Sequence, residues 1–158
     1  MRKLLLVLFS TSTLVIYAQT SDAEAEAIIN LLGVQKKEAI AKLVPVKGKD
    51  SVAFWKLYDQ YQVKNKEVAK SRIRLYEKTA VAYGNMTPAI ADSLSLKYFD
   101  NRLAQEKSLQ EYYQKIKAAT NAVTAFQFYQ AEVYILTQVR AQIMQQIPTY
   151  SEFVAMKK

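Results

Sequence analysis

The segment KDSVAFWKLYDQYQVKNKEVAKSRIRLYEKTAVAYGN, residues 49–85, decides the fold. It follows the loop PVKGK, offers Asp50 or Ser51 as a helix cap, and runs to about Tyr83 before Gly84-Asn85 stops it. A helix of thirty-odd residues is roughly 45–50 Å long at 1.5 Å per residue. A compact chain of about 140 residues has a radius of gyration of only about 14–15 Å. Such a rod cannot wrap a round core. The segment predicts an elongated, all-α molecule.

The flanking sequence extends this reading to four helices in an elongated antiparallel arrangement. Ala, Leu, Lys, Gln and Glu dominate, whereas Gly and Pro number three each. The first helix is expected from the capping-box pattern Ser21–Glu24 to Pro45, with Ile28, Ile29, Leu32, Ala39, Ile40 and Leu43 at helical spacing. Gly33 weakens it or permits a bend. The third, as long as the second, starts with Thr87 as cap and Pro88 in its first turn, and carries Leu96, Phe99, Leu103, Leu109, Tyr113 and Ile116. The fourth covers about Ala122 to Gln146. Its apolar positions Phe126, Tyr129, Val133, Leu136, Ile143 and Ile147 follow a near-heptad seam broken by Arg140. The tail TYSEFVAMKK is expected as a short turn or a mobile end. A thin helical layer leaves apolar area uncovered, so a two-fold partner is expected.

The chain opens MRKLLLVLFSTSTLVIYAQ, with a basic start, an apolar run and a small residue, Ala18, at a cleavage point. Residues 1–18 read as a secretory signal peptide, and residues 19–158 as one helical domain, exported and with no later membrane span. An uncleaved anchor is the alternative, although Ser10 to Thr13 interrupt the apolar run. Losing Arg2 and Lys3 from 22 basic residues leaves 20 against 14 acidic ones, a net charge of +6. With no Cys in an exported chain there is no disulfide framework. The absence of Cys and His removes the usual zinc and copper ligands and most nucleophile–base pairs. Asp92, Asp100, Glu106 and Glu111 are too dispersed for an acid–base pair or an oxygen-ligand cage. The expectation is a protein that is not an enzyme and uses no metal or cofactor.

Two features point to binding. Phe54, Trp55, Tyr58 and Tyr61 form overlapping stripes on one helix, with Gln62 on the face of Trp55 and Tyr58. Two stripes exceed what one buried face needs. Trp55 is expected in the core, with Phe54 or Tyr61 the more accessible neighbour. Between Lys47 and Tyr83, nine basic residues meet four acidic ones, and Lys66, Lys70, Arg74 and Lys78 fall at successive i+4 positions. Like charges at that spacing repel, so helix stability alone would not choose them. They are either a solvated face or a field that steers anionic partners. Adhesion to an anionic envelope surface would use the same charges. A nucleic-acid role is not expected, because no recognised module accompanies the stripe.

The stretch VPVKGKDSVAFWKLYDQYQ resembles a pattern in periplasmic proteins similar to Spy and CpxP: a loop, then a helix opening with Phe-Trp, an aliphatic residue and spaced tyrosines. Met86, Thr87 and Pro88 of MTPAI, and Val123, Thr124 and Gln127 of VTAFQ, look like that family's Leu-Thr-x-x-Gln motif, with Ile90 where the first should have Gln. The residues themselves read as helix caps, Thr accepting and Gln returning a hydrogen bond. The resemblance implies an all-α, cradle-shaped homodimer that binds unfolded or partly folded proteins in the periplasm without ATP. It leaves open a stress-sensor or adaptor that binds one regulatory protein.

Overall fold

The computed structural model describes residues 22–157. The signal-peptide reading of residues 1–18 and the Ser21 cap lie outside them. The described chain is all α, with five helices: α1 (Asp22–Leu43), α2 (Lys49–Ala82), α3 (Pro88–Ala119), α4 (Ala122–Met144) and α5 (Tyr150–Met156). Among the described residues no helix is long and apolar enough to cross a membrane.

The two long helices, α2 with 34 residues and α3 with 32, run antiparallel and pack along most of their length. Their pairing is fixed by contacts that march in opposite directions. Tyr61 meets the Tyr112 ring, Asn65 Nδ2 donates to Ser108 Oγ at 3.1 Å, Arg72 Nε donates to Asn101 Oδ1 at 2.7 Å, and the Thr79 and Tyr98 hydroxyls lie 2.9 Å apart. Helices α1 and α4 cover only one end of this pair, where α1 packs on both α2 and α4.

The ends of the helices show where local sequence was and was not decisive. Neither Asp50 nor Ser51 caps α2. Gly48 does, at φ 63°, a left-handed conformation that suits glycine, and α2 starts two or three residues earlier than expected. Thr87 caps α3 as expected, accepting from the Ile90 amide at 3.3 Å, with Pro88 in the first turn. Thr124 is not a cap. Asn121 takes that role, accepting from the Thr124 amide at 2.9 Å, and Thr124 is buried in the first turn of α4. The tail forms a fifth helix, closed by a reciprocal capping box between Thr149 and Glu152 and docked through Tyr150 and Phe153 on the Tyr83 ring.

The core is aromatic and sits at the four-helix end. Phe54, Tyr58 and Tyr61 of α2 interlock with Tyr112 of α3 and Phe128 of α4, mostly edge to face at centroid distances of 5.3–6.4 Å. Ile40 and Val44 from α1 and its end, with Leu109, Ile116, Ala125 and Ala131, complete it. Of the expected α1 positions, Ile40 is buried, Leu43 is 45% exposed, and Ile28, Ile29 and Leu32 lie outside the described side chains. The expected seam of α4 is corrected: Phe126, Tyr129 and Val133 are exposed, and the buried face is Thr124, Ala125, Phe128, Ala131 and Glu132. Small alanines and one acid line the packed side because the large aromatics of α2 already fill that space. Likewise Leu96, Phe99 and Leu103 point away from α2, which α3 meets there through Asn101 and Gln105.

Candidate functional site

The four aromatic residues that open α2 are core-forming. Phe54, Tyr58 and Tyr61 are fully buried, whereas Trp55 is half-buried, packed edge-on against Phe54 and Tyr58 with Lys37 Nζ 5.6 Å from its ring. The expected order is thus reversed: Trp55 is the accessible member, and Phe54 and Tyr61 are inside. Two stripes are buried because two neighbours, α1 and the α3–α4 hairpin, press on α2 from different sides. Gln62 is half-buried and spans to α1, donating to the Gly33 carbonyl at 3.3 Å and accepting from Lys36 Nζ at 3.2 Å.

The basic ribbon lies at the other end. Lys70, Arg74 and Lys78 of α2 line an open groove of about 560 Å³ against α3, which adds Lys97, Asp100 and Ala104; Lys66 stands one turn outside it. Lys70 pairs with Glu67 at 3.3 Å, so part of the charge is neutralised within the ribbon. Leu96 and Leu103 stand one helical turn on either side of Asp100, on the outer face of α3 next to the groove and not among the residues that line it. With Phe99 they form an apolar rim whose members are 55, 57 and 62% exposed. Cations inside and bare aliphatic and aromatic groups along the edge make a surface that attracts acidic chains and retains apolar ones. Lys97 is the residue that sequence reading missed here, and Leu96, Phe99 and Leu103 were read only as apolar positions of the third helix, with no role given to them. Helical spacing identifies an apolar stripe but not what it faces.

The family-motif positions play structural parts. Met86 is half-buried between the 3-10 turn Tyr83–Asn85 and Thr87, Thr87 and Pro88 start α3, Val123 is exposed, and Gln127 is half-buried on α4. No reciprocal hydrogen bond from Gln127 is needed at a start that Asn121 already caps.

One polar cluster was not anticipated. Glu132, the sole acid in the 23 residues of α4, is completely buried beneath α1. Its Oε2 accepts from the Tyr61 hydroxyl at 2.8 Å and meets Lys36 Nζ at 2.7 Å, and Lys36 lies 5.0 Å from the Tyr61 ring centroid. Its Oε1 and the Tyr58 hydroxyl are buried with no hydrogen-bond partner; they feel one another's charge without a bond of proper geometry. Burial first, and the Glu132 charge second, push both Tyr58 and Tyr61 well above the ordinary tyrosine range. A lone acid in an otherwise apolar helix is the sequence signal for such a site, since buried carboxylates need partners. Its partner Lys36, on another helix, leaves no local trace.

A second group of charges lies midway. Arg72 is pulled down from its ordinary value by burial first and by Arg140 next, with Arg102 also close enough to contribute. Arg140, the residue that interrupts the α4 seam, therefore faces the α2–α3 pair. Among the described residues no three acids or other ligands cluster as a metal site would require. Comparison with family models, curated proteins and solved structures returns no match, so the reading of this surface rests on its own geometry.

Proposed function

We propose that the protein is an ATP-independent, chaperone-like binder of unfolded or partly folded proteins, exported to the periplasm and acting as a homodimer. The observation that carries this reading is the apolar rim of Leu96, Phe99 and Leu103 beside the cationic groove of Lys70, Arg74, Lys78 and Lys97. Unfolded chains present scattered charge and scattered apolar groups, and this surface offers a complement to both without a deep, shape-selective pocket. The resemblance of the Phe54–Trp55 helix opening to the Spy and CpxP pattern supports the same reading, as does the N-terminal stretch that reads as a signal peptide.

The dimer rests on α4. Phe126, Tyr129 and Val133 are all exposed and form one stripe at helical spacing along the outer face of α4. In an antiparallel pairing of two copies centred near Tyr129, Phe126 of one chain falls near Val133 of the other, so the exposed apolar groups cover one another. A Val133→Glu variant is expected to elute at the monomer mass in light scattering coupled to size exclusion, where the wild type elutes at twice it.

The functional test is suppression of aggregation of two unrelated unfolding proteins in the absence of nucleotide. Changing Leu96, Phe99 and Leu103 to Ser is expected to abolish protection while leaving the melting transition in place. Changing Lys66, Lys70, Arg74 and Lys78 to Gln is expected to slow association and remove most of its salt dependence, with dissociation less affected. Full protection by the triple Ser variant would refute the reading. Protection of one protein but not the other would instead favour an adaptor for a single partner.

A further inference from the structure

Helix α1 is seated on the rest of the molecule as a ligand would be. Its inward residues Lys36 and Ile40, with Val44 just beyond its end, recur every four positions and so form a single stripe. Ile40 and Val44 enter the aromatic core, while the Lys36 ammonium reaches Glu132 and lies by the Tyr61 ring. The receiving surface belongs entirely to other helices: Phe54, Tyr58 and Tyr61 of α2, Phe128 and Glu132 of α4.

Two details separate this contact from ordinary packing. An ion pair taken out of water contributes little to stability compared with apolar side chains of similar volume, and its best-attested use is to fix register and partner. And the pair is incomplete: Glu132 Oε1 and the Tyr58 hydroxyl remain buried and unpartnered while α1 is in place. Such a half-satisfied network lowers the cost of withdrawing the helix that covers it. Three further polar contacts tie α1 down from its flank: Lys37 to Asp59, at 2.5 Å, Gln62 to the Gly33 carbonyl, and Lys36 to the Gln62 side-chain oxygen.

We propose that the surface around Glu132 is a binding groove for a basic amphipathic helix of the pattern Lys-x-x-x-Ile-x-x-x-Val, which α1 fills in cis and which a helix of the same chemistry from a partner protein can enter in its place. Helix-in-groove recognition uses anchors at this spacing, and a buried carboxylate between aromatic rings selects an ammonium over other polar groups. Withdrawal of α1 also exposes the aromatic residues that open α2, which the closed form hides. The proposal stands on α1 and Glu132 alone and is independent of the rim and groove between α2 and α3.

Hydrogen exchange on the intact wild-type chain tests whether α1 leaves separately. Amides of residues 36–43 are expected to exchange through an opening at least tenfold more populated than that of residues 54–62 in α2. Exchange of both segments through one common opening would overturn the proposal. A fluorescent peptide copying residues 22–44 then probes the groove itself. It is expected to bind the wild-type chain in competition with α1, and to lose at least tenfold in affinity when its own Lys36 is changed to Glu. In a chain carrying both Lys36→Glu and Glu132→Lys, which keeps the pair with its charges exchanged, the preference between the two peptides should invert. Equal binding of both peptides to both chains, or no binding to the wild type, would overturn the assignment. Loss of aggregation suppression in the rim variants would leave every one of these outcomes unchanged.

Discussion

The two ends of the α2–α3 pair are built from different chemistry. At the four-helix end, α2 turns Phe54, Tyr58 and Tyr61 inward, and α1, α3 and α4 bury them completely. Toward the far end the same two helices hold each other mainly through polar groups. Asn101 accepts from Arg72 and donates to the Val68 carbonyl at 2.9 Å, Tyr98 meets Thr79, and buried Gln105 and Ser108 line the seam. Hydrogen bonds are directional and contribute about 1 kcal/mol net each, whereas a buried aromatic contributes more and tolerates sliding. The aromatic end thus supplies stability, and the polar end fixes how the two long helices align. On α3, it is at the polar end that Leu96, Phe99 and Leu103 stay exposed, which is where the proposed binding surface lies.

The largest expected effect is at the aromatic end. Phe128 touches the rings of Phe54, Tyr58 and Tyr61, and Phe128→Ala should cost about 3–5 kcal/mol in urea unfolding. Lys36→Met leaves Glu132 buried without its cation and should cost about 3 kcal/mol or more, whereas changing Lys36 and Glu132 together to Met should recover most of that loss. A double-mutant cycle measures the difference. Trp55→Ala, at a half-buried position with two ring contacts, should cost about 1–3 kcal/mol, clearly less than Phe128→Ala. Parity between those two would contradict the assignment of the core.

At the polar end, Asn101→Ala removes two hydrogen bonds and should cost about 1–2 kcal/mol. Its more telling consequence is alignment: spin labels on α2 and α3 should report a broader distance distribution than in the wild type. The smallest effect concerns Glu111 at the surface, which its hydrogen bonds to Lys115 first and Lys64 second hold at about 2. A depressed carboxylate contributes stability that is present above its ordinary value of 4.5 and is lost as pH falls toward 2. Glu111→Gln should therefore flatten the acid limb of a stability–pH profile between those values: the variant loses that small contribution at neutral pH and matches the wild type once the pH falls below about 2.

Helix positions were legible because they depend on local composition and on the few breakers between them. Pro45, Gly84-Asn85, Thr87-Pro88 and Pro148 all fall at or near observed boundaries. The fifth helix was legible too, in the Thr-x-x-Glu signature of Thr149 and Glu152, although the tail was expected as a turn or a mobile end. Misplaced caps have a common cause. Asp50, Ser51 and Thr124 are all good capping residues, but each helix begins two or three residues earlier, so that Gly48 and Asn121 occupy the cap positions instead.

By itself the sequence determined an all-α chain with two long helices, a basic α2 and an aromatic opening to it, because propensity, length and charge are properties of neighbouring residues. Only the tertiary structure decided which of two apolar stripes on a helix is inside. Phe126, Tyr129 and Val133 have the better periodicity, yet Ala125, Phe128 and Ala131 are buried, because the volume left by the rings of α2 admits alanine, one phenylalanine and one carboxylate. It also decided that Lys36 and Glu132, 96 positions apart, form one buried pair. Complementarity of volume and charge between distant segments has no signature within either of them.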